Sequence, residues 1–125
     1  MKRITVYVVV GALLVLMIPG VGSAATVVCR GVPCNGTNSA DTIVERFGDG
    51  VRDVINGRRG SDTIHADPFT GDQDRVLGGR GNDTIYTRDG DNRDFVNCGP
   101  GNRDVAIVNK GDNVNHRTCE SIRRG

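Results

Sequence analysis

Aspartate is the residue type in this chain best placed to do chemistry. The 125-residue sequence holds thirteen Asp against two Glu. An Asp followed two places later by an apolar residue recurs at Asp41/Ile43, Asp53/Ile55, Asp62/Ile64, Asp74/Val76, Asp83/Ile85, Asp94/Val96, Asp104/Ala106 and Asp112/Val114. The Asp-to-Asp steps are 12, 9, 12, 9, 11, 10 and 8 residues, so adjacent steps total 21, 21, 21, 20, 21 and 18. One stretch, Gly78-Gly79-Arg80-Gly81-Asn82-Asp83-Thr84-Ile85-Tyr86, shows the unit in full. Its glycines allow a sharp turn through backbone dihedrals closed to other residues, which lets the turn aim its carbonyls at one point. Asp83 adds a carboxylate oxygen, the hard donor that Ca²⁺ prefers. Ile85 follows at strand parity and points inward.

A period near 21 built from two unequal steps calls for a coil with two short strands per turn, joined by a tight loop on one edge and a looser loop on the other. In register with Asp83, the segments are Gly36–Val44, Gly48–Asn56, Gly57–His65, Phe69–Leu77, Gly78–Tyr86, Asp89–Asn97 and Gly99–Ile107. Extra residues at Glu45–Phe47, Ala66–Pro68, Thr87–Arg88 and Cys98 fall mostly on the looser edge. The expected fold is all-β: a parallel β-roll, or β-solenoid, of about four coils.

Composition agrees. Trp is absent and aromatic residues make up 4% of the chain, so a large conventional core is not expected. No helical periodicity follows the first 25 residues. Those 25 read as a secretory leader: Lys2 and Arg3, an apolar run from Ile4 to Ile18, then Pro19 and small residues, with the cut expected after Ala25. The apolar run is shorter than the ~20 residues of a membrane span, and Cys29 lies too far on for a lipoprotein cut. Removing the leader takes the formal charge from +1 to −1, so no bulk charge draws the chain to nucleic acid or membrane. The expected location is extracellular.

Four cysteines allow three pairings. In an oxidising compartment disulfides are expected, and Cys29–Cys34 with Cys98–Cys119 is the favoured pairing because each bridge clamps one end of the array. A zinc site lacks the usual ligand spacing. The expected layout is a leader over 1–25, an N-terminal cap over 26–35, repeats over 36–114 and a C-terminal cap over 115–125 that pairs Cys119 with Cys98.

The full nonapeptide reads G-G-x-G-x-D-x-U-x, with U a large apolar residue. From Gly36 to Val114 the chain resembles the repeats-in-toxin, or haemolysin-type, calcium-binding family, in particular its short exported proteins with degenerate copies. Cys98-Gly99-Pro100-Gly101 with Cys119-Glu120 looks like the close of that subgroup. The resemblance implies Ca²⁺ held between consecutive coils by the repeat Asp and by loop carbonyls. On the tight edge this assigns Asp62, Asp83 and Asp104 with the backbone of Gly57, Gly60, Gly78, Gly79, Gly81 and Gly101. On the looser edge it assigns Asp53, Asp74 and Asp94, with Asp49, Asp72, Asp89 and Asp91 as further carboxylates. Only one segment matches completely. Arg58, Asp49, Thr70 and Pro100 replace the second glycine elsewhere, and Arg52, Arg93 and Arg103 stand directly before a repeat Asp, where a guanidinium would offset its charge.

Catalysis is not expected. His65 and His116 have no recognisable nucleophile beside them, and the carboxylates already have a repeat role. Two readings remain: an exported roll whose folding is stabilised by Ca²⁺, or a calcium-independent scaffold or adhesion module. In the second, the arginines Arg58, Arg59, Arg80 and Arg88 face an anionic partner such as a cell-surface or extracellular polysaccharide. In the metal-free case the Asp residues cap turns. Asn35-Gly36-Thr37 and Asn82-Asp83-Thr84 match the glycosylation triplet, a weak signal.

Overall fold

The computed structural model describes residues 6–10, 13–17, 24–30, 33–46, 52–66, 71, 73–90 and 93–125. Among the described residues thirteen short strands form two sheets, and there is no helix. The first sheet contains β1 (Val6–Val10), β2 (Leu13–Met17), β3 (Thr26–Cys29), β5 (Thr42–Glu45), β7 (Thr63–His65), β9 (Thr84–Tyr86), β11 (Val105–Val108) and β13 (Ser121–Arg124), in that order. The second contains β4 (Cys34–Asn35), β6 (Val54–Asn56), β8 (Arg75–Leu77), β10 (Phe95–Asn97) and β12 (Asn113–Val114). Successive strands alternate between the sheets from β3 onward, and every pairing within the two stacks is parallel. The chain is a β-solenoid, as its period requires.

The register repeats the arithmetic of the sequence. Thr42 pairs with Thr63, Thr63 with Thr84 and Thr84 with Val105, giving three full turns of 21 residues. Shorter coils close the ends, through Thr26↔Thr42 and Val105↔Ser121. On the second sheet the register runs Cys34↔Ile55↔Val76↔Val96↔Val114. The stretches expected as caps therefore carry strands that continue the sheets.

Strands of three residues can bury only one central side chain, and that residue is the repeat's apolar position. Ile43, Ile55, Ile64, Val76, Ile85, Val96 and Ala106 are 0% exposed and Val114 is 4% exposed. Each buried Ile or Val contributes roughly 1.5–3 kcal/mol. Strand parity extends past the strands at both ends. The Asp two places before each apolar residue also points inward, and so does the residue two places after it: Glu45, Ala66, Thr87 and Val108 on the first sheet, Gly57, Gly78 and Cys98 on the second. These flanking residues meet at the two corners of the coil.

Both favoured disulfides form. Cys29–Cys34 (Cα–Cα 5.5 Å) joins the two sheets in the first coil, and Cys98–Cys119 (5.2 Å) ties the tight loop after β10 to the one after β12. All four cysteines are buried and extend the apolar stack to its ends. The stretch expected as a leader supplies β1 and β2, an antiparallel pair whose second strand lies antiparallel to β3 through Leu14↔Val28 and Leu16↔Thr26. Residues 18–23, beside the expected cut, lie outside the described residues. Among the described residues no helix is long and apolar enough to cross a membrane.

Candidate metal centre

The repeat aspartates form two ladders, one at each corner. At the tight corner, where the second sheet returns to the first, Oδ1 of each Asp accepts the backbone N–H of the Asp one coil earlier. Asp62 takes Asp41 (2.8 Å), Asp83 takes Asp62 (2.8 Å) and Asp104 takes Asp83 (2.6 Å). Glu120 extends the ladder by accepting the N–H of Asp104 at 2.7 Å, and Asp41 extends it at the other end by accepting the N–H of Ala25. At the loose corner Asp74 takes Asp53 (3.0 Å), Asp94 takes Asp74 (2.9 Å) and Asp112 takes Asp94 (3.3 Å). Asp62, Asp83 and Asp104 are thus brought together, as are Asp53, Asp74 and Asp94, on separate corners. Coil-to-coil spacing of about 4.8 Å sets the distance between successive rungs.

One oxygen of each accepting carboxylate is committed to the ladder. The other is the notable one: Oδ2 of Asp62, Asp83, Asp94 and Asp104 is buried and has no hydrogen-bond partner. Buried acceptors without partners are rare because desolvation is not repaid. The effect on ionisation is large. Burial raises the carboxyl of Asp62 to about 7, against the opposing backbone hydrogen bond from Asp41 and with help from Asp83 and Asp41. Burial likewise raises Asp83 to about 6, with Asp104 adding to it, and Asp94 to about 8, with Asp89, Asp112 and Asp74 adding. Asp104 is also raised, by burial and then by Glu120.

At the tight corner the second oxygen meets a glycine. A Cβ on Gly78 would lie 2.5 Å from both Asp83 Oδ2 and the Cys98 carbonyl. Gly57 is placed the same way against Asp62 Oδ2 and the Gly78 carbonyl, and Gly36 against Asp41 Oδ2 (2.9 Å) and the Gly57 carbonyl (2.6 Å). At Gly101 both oxygens of Asp104 converge, at 2.5 and 2.8 Å. Carboxylate and carbonyl oxygens therefore crowd one face that only a glycine leaves open. Gly60, Gly79 and Gly81 serve differently, holding positive φ while their backbones press on the loop of the neighbouring coil. Hydrogen bonds such as Gly60 N–H to Arg80 O (2.9 Å) and Gly81 N–H to Pro100 O (3.1 Å) lock these loops together.

At the loose corner a side chain replaces the glycine. Thr87 and Asn109 satisfy Asp112: the Thr87 hydroxyl and the Asn109 backbone N–H both donate to its Oδ2, at 3.0 and 2.8 Å. Two coils earlier the column of Thr87 holds Glu45, which brings a carboxylate in place of a donor. Glu45, Asp53 and Asp74, all buried, place oxygens within 4.8 Å of one another. Ala66, fully buried, holds the same column one coil on. In the sequence Glu45 falls within a loop insertion. The missed signal was parity, since Glu45 stands two places after Ile43 as Asp41 stands two before.

Other expected ligands are placed as follows. Asp89 accepts from the Asn109 side-chain amide at 2.8 Å, while Asp49, Asp72 and Asp91 lie outside the described residues. Arg52 does not turn to Asp53. Its guanidinium reaches the carbonyl and side chain of Gln73 (3.1 and 3.3 Å) on the exposed side of the next coil. His65 is half-buried on the outer face of the first sheet, stacked on Tyr86 at 4.6 Å.

Compared with family models, curated proteins and solved structures, the chain matches none, so the likeness to the repeats-in-toxin nonapeptide rests on its own residues.

Proposed function

We propose that this protein is an exported calcium-binding β-roll whose folding is stabilised by Ca²⁺ held between repeat loops. The observation that carries this reading is the set of buried Oδ2 atoms on Asp62, Asp83, Asp94 and Asp104 that lack a hydrogen-bond donor. A divalent cation meets that need. It supplies positive charge to several carboxylates at once and accepts carbonyl oxygens beside them. Gly57, Gly78 and Gly101 supply the open face at the tight corner, and Glu45, Asp53 and Asp74 form an all-carboxylate group at the loose one. Ca²⁺ suits such sites better than Mg²⁺, because it takes six to eight oxygens in flexible geometry whereas Mg²⁺ keeps its waters. Two disulfides and the leader-like N-terminus support export.

A metal-free reading has one observation in its favour. Asp62, Asp83, Asp94 and Asp104 each already accept a backbone N–H, and burial favours their protonated form, so a neutral stack could hold the coils without an ion. Far-UV circular dichroism of the oxidised chain during a Ca²⁺ titration, with calorimetry alongside, separates the two. The calcium reading expects a cooperative gain of β signal that Mg²⁺ does not give and that Asp83→Ala reduces. A complete β spectrum in chelator, with no heat on adding Ca²⁺, would sink it.

A further inference from the structure

The tight edge has an outside as well as an inside, and the two have opposite charge. Its loops, residues 36–41, 57–62, 78–83, 98–104 and 115–120, all lie within the described residues. Their aspartates are turned into the core, while Arg58, Arg59, Arg80, Arg103 and Arg117 are exposed. The one exposed acidic residue on this edge, Glu120, is engaged with the backbone N–H of Asp104. Among the described residues the guanidinium groups of these five arginines meet no carboxylate.

Two features at the centre of this row work against stability. Arg59 and Arg80 face each other as a parallel bridge in adjacent coils, and like charges directly opposite repel. Arg58 holds a left-handed φ of 78°, at the position where the next two coils have Gly79 (103°) and Gly99 (89°). Unfavourable backbone and charge arrangements concentrated on one surface point to use rather than packing. Arg88, grouped with these arginines by sequence, is elsewhere. It lies on the loose edge with its guanidinium on the Arg123 carbonyl.

We propose that the tight edge is a docking surface for a linear acidic polysaccharide lying along the solenoid axis, with Arg58, Arg59 and Arg80 as its centre. The row offers at least one guanidinium per coil from the second loop onward, and the planar fork of Arg suits carboxylate and sulfate groups. Nucleic acid is a poorer fit, because single strands are held by aromatic side chains that stack on bases. The tight-edge loops contain no Phe, Tyr or Trp. This inference does not depend on calcium binding.

The test is binding of the oxidised chain to chondroitin sulfate by calorimetry at increasing NaCl, in buffer containing Ca²⁺. Inorganic sulfate, neutral dextran and a single-stranded oligodeoxynucleotide of matched charge are the comparison ligands. The combined variant Arg58→Gly, Arg59→Gln, Arg80→Gln is expected to lose about tenfold or more in affinity. It restores the glycine of the sister loops and alters only exposed side chains, so its dichroism should match the parent. Arg88→Gln should bind like the parent. Equal binding by the triple variant, equal affinity for the oligonucleotide, or sulfate binding as tightly as the polymer would each overturn the proposal.

Discussion

The tight and loose corners start from the same device and finish it differently. Both carry a ladder of buried aspartates one coil apart, each accepting a backbone N–H from its predecessor. At the tight corner the partner across the turn is a glycine at Gly36, Gly57 and Gly78 and becomes Cys98 in the next coil, and the loops hydrogen-bond directly to each other, backbone on backbone. At the loose corner the partner is a side chain that differs in every coil: Glu45, Ala66, Thr87, then Val108 beside Asn109. One corner is built by geometry that tolerates no added atom. The other is built by chemistry that can be changed residue by residue.

The largest expected effect is therefore at the tight corner. Gly78→Ala puts a methyl 2.5 Å from Asp83 Oδ2 and from the Cys98 carbonyl, so the backbone of the next coil must shift. Overpacking a rigid site of this kind should destabilise by about 3 kcal/mol or more, measured by chemical denaturation. The loose corner should tolerate an equivalent change: Ala66→Ser adds one polar atom beside a carboxylate ladder and should cost much less. Equal losses would remove the distinction.

The next effect is pH dependence. In the metal-free folded chain Asp62, Asp83 and Asp94 hold protons up to about pH 7, 6 and 8, whereas their ordinary value is 3.8. Between these limits the folded state binds more protons than the unfolded state. The slope of stability with pH is then negative. The contribution is complete below about pH 4 and is lost as pH rises through 6 to 8. Thermal melts in chelator should show the roll most stable in mild acid. Added Ca²⁺ competes with those protons, so its stabilisation should be greatest near pH 8 and fade toward pH 5. A pH-independent midpoint in chelator would contradict the burial of ionisable aspartates.

Glu45→Thr tests the loose corner alone by copying the arrangement at Thr87. A hydroxyl donor in place of a third carboxylate should stabilise the calcium-free chain by about 1 kcal/mol and weaken Ca²⁺ binding at Asp53 and Asp74. A variant that is less stable without calcium would show that Glu45 is held by partners other than the carboxylate group. Similar in size is Arg58→Gly, which relieves a left-handed side-chain-bearing residue. It should gain about 1 kcal/mol, seen as a small rise in the melting midpoint.

Legibility followed the same division. The spacing of the aspartates gave the period, the two sheets and the register, because a solenoid repeats its hydrogen-bond partners at a fixed chain distance: the steps of 21, 20 and 18 reappear as Ile55↔Val76, Val76↔Val96 and Val96↔Val114. The eight apolar repeat residues were readable for the same reason, and both disulfides because each bridge clamps one end of the array. The role of Glu45 was not. Its inward direction depends on strand parity continuing beyond the repeat motif into what looked like an insertion. Nor could the sequence separate Arg88 from Arg58, Arg59 and Arg80, since the edge on which a loop residue emerges depends on how many residues each loop spends turning.

The sequence by itself determined the coil: its period, its buried apolar column and the aspartate before each strand are local patterns that any register must satisfy. Only the tertiary structure decided what each aspartate faces. Across a corner the partner comes from the other sheet, at a sequence distance that varies with loop length. Whether a buried oxygen meets a glycine, a hydroxyl or another carboxylate is therefore fixed by how the two sheets close on each other.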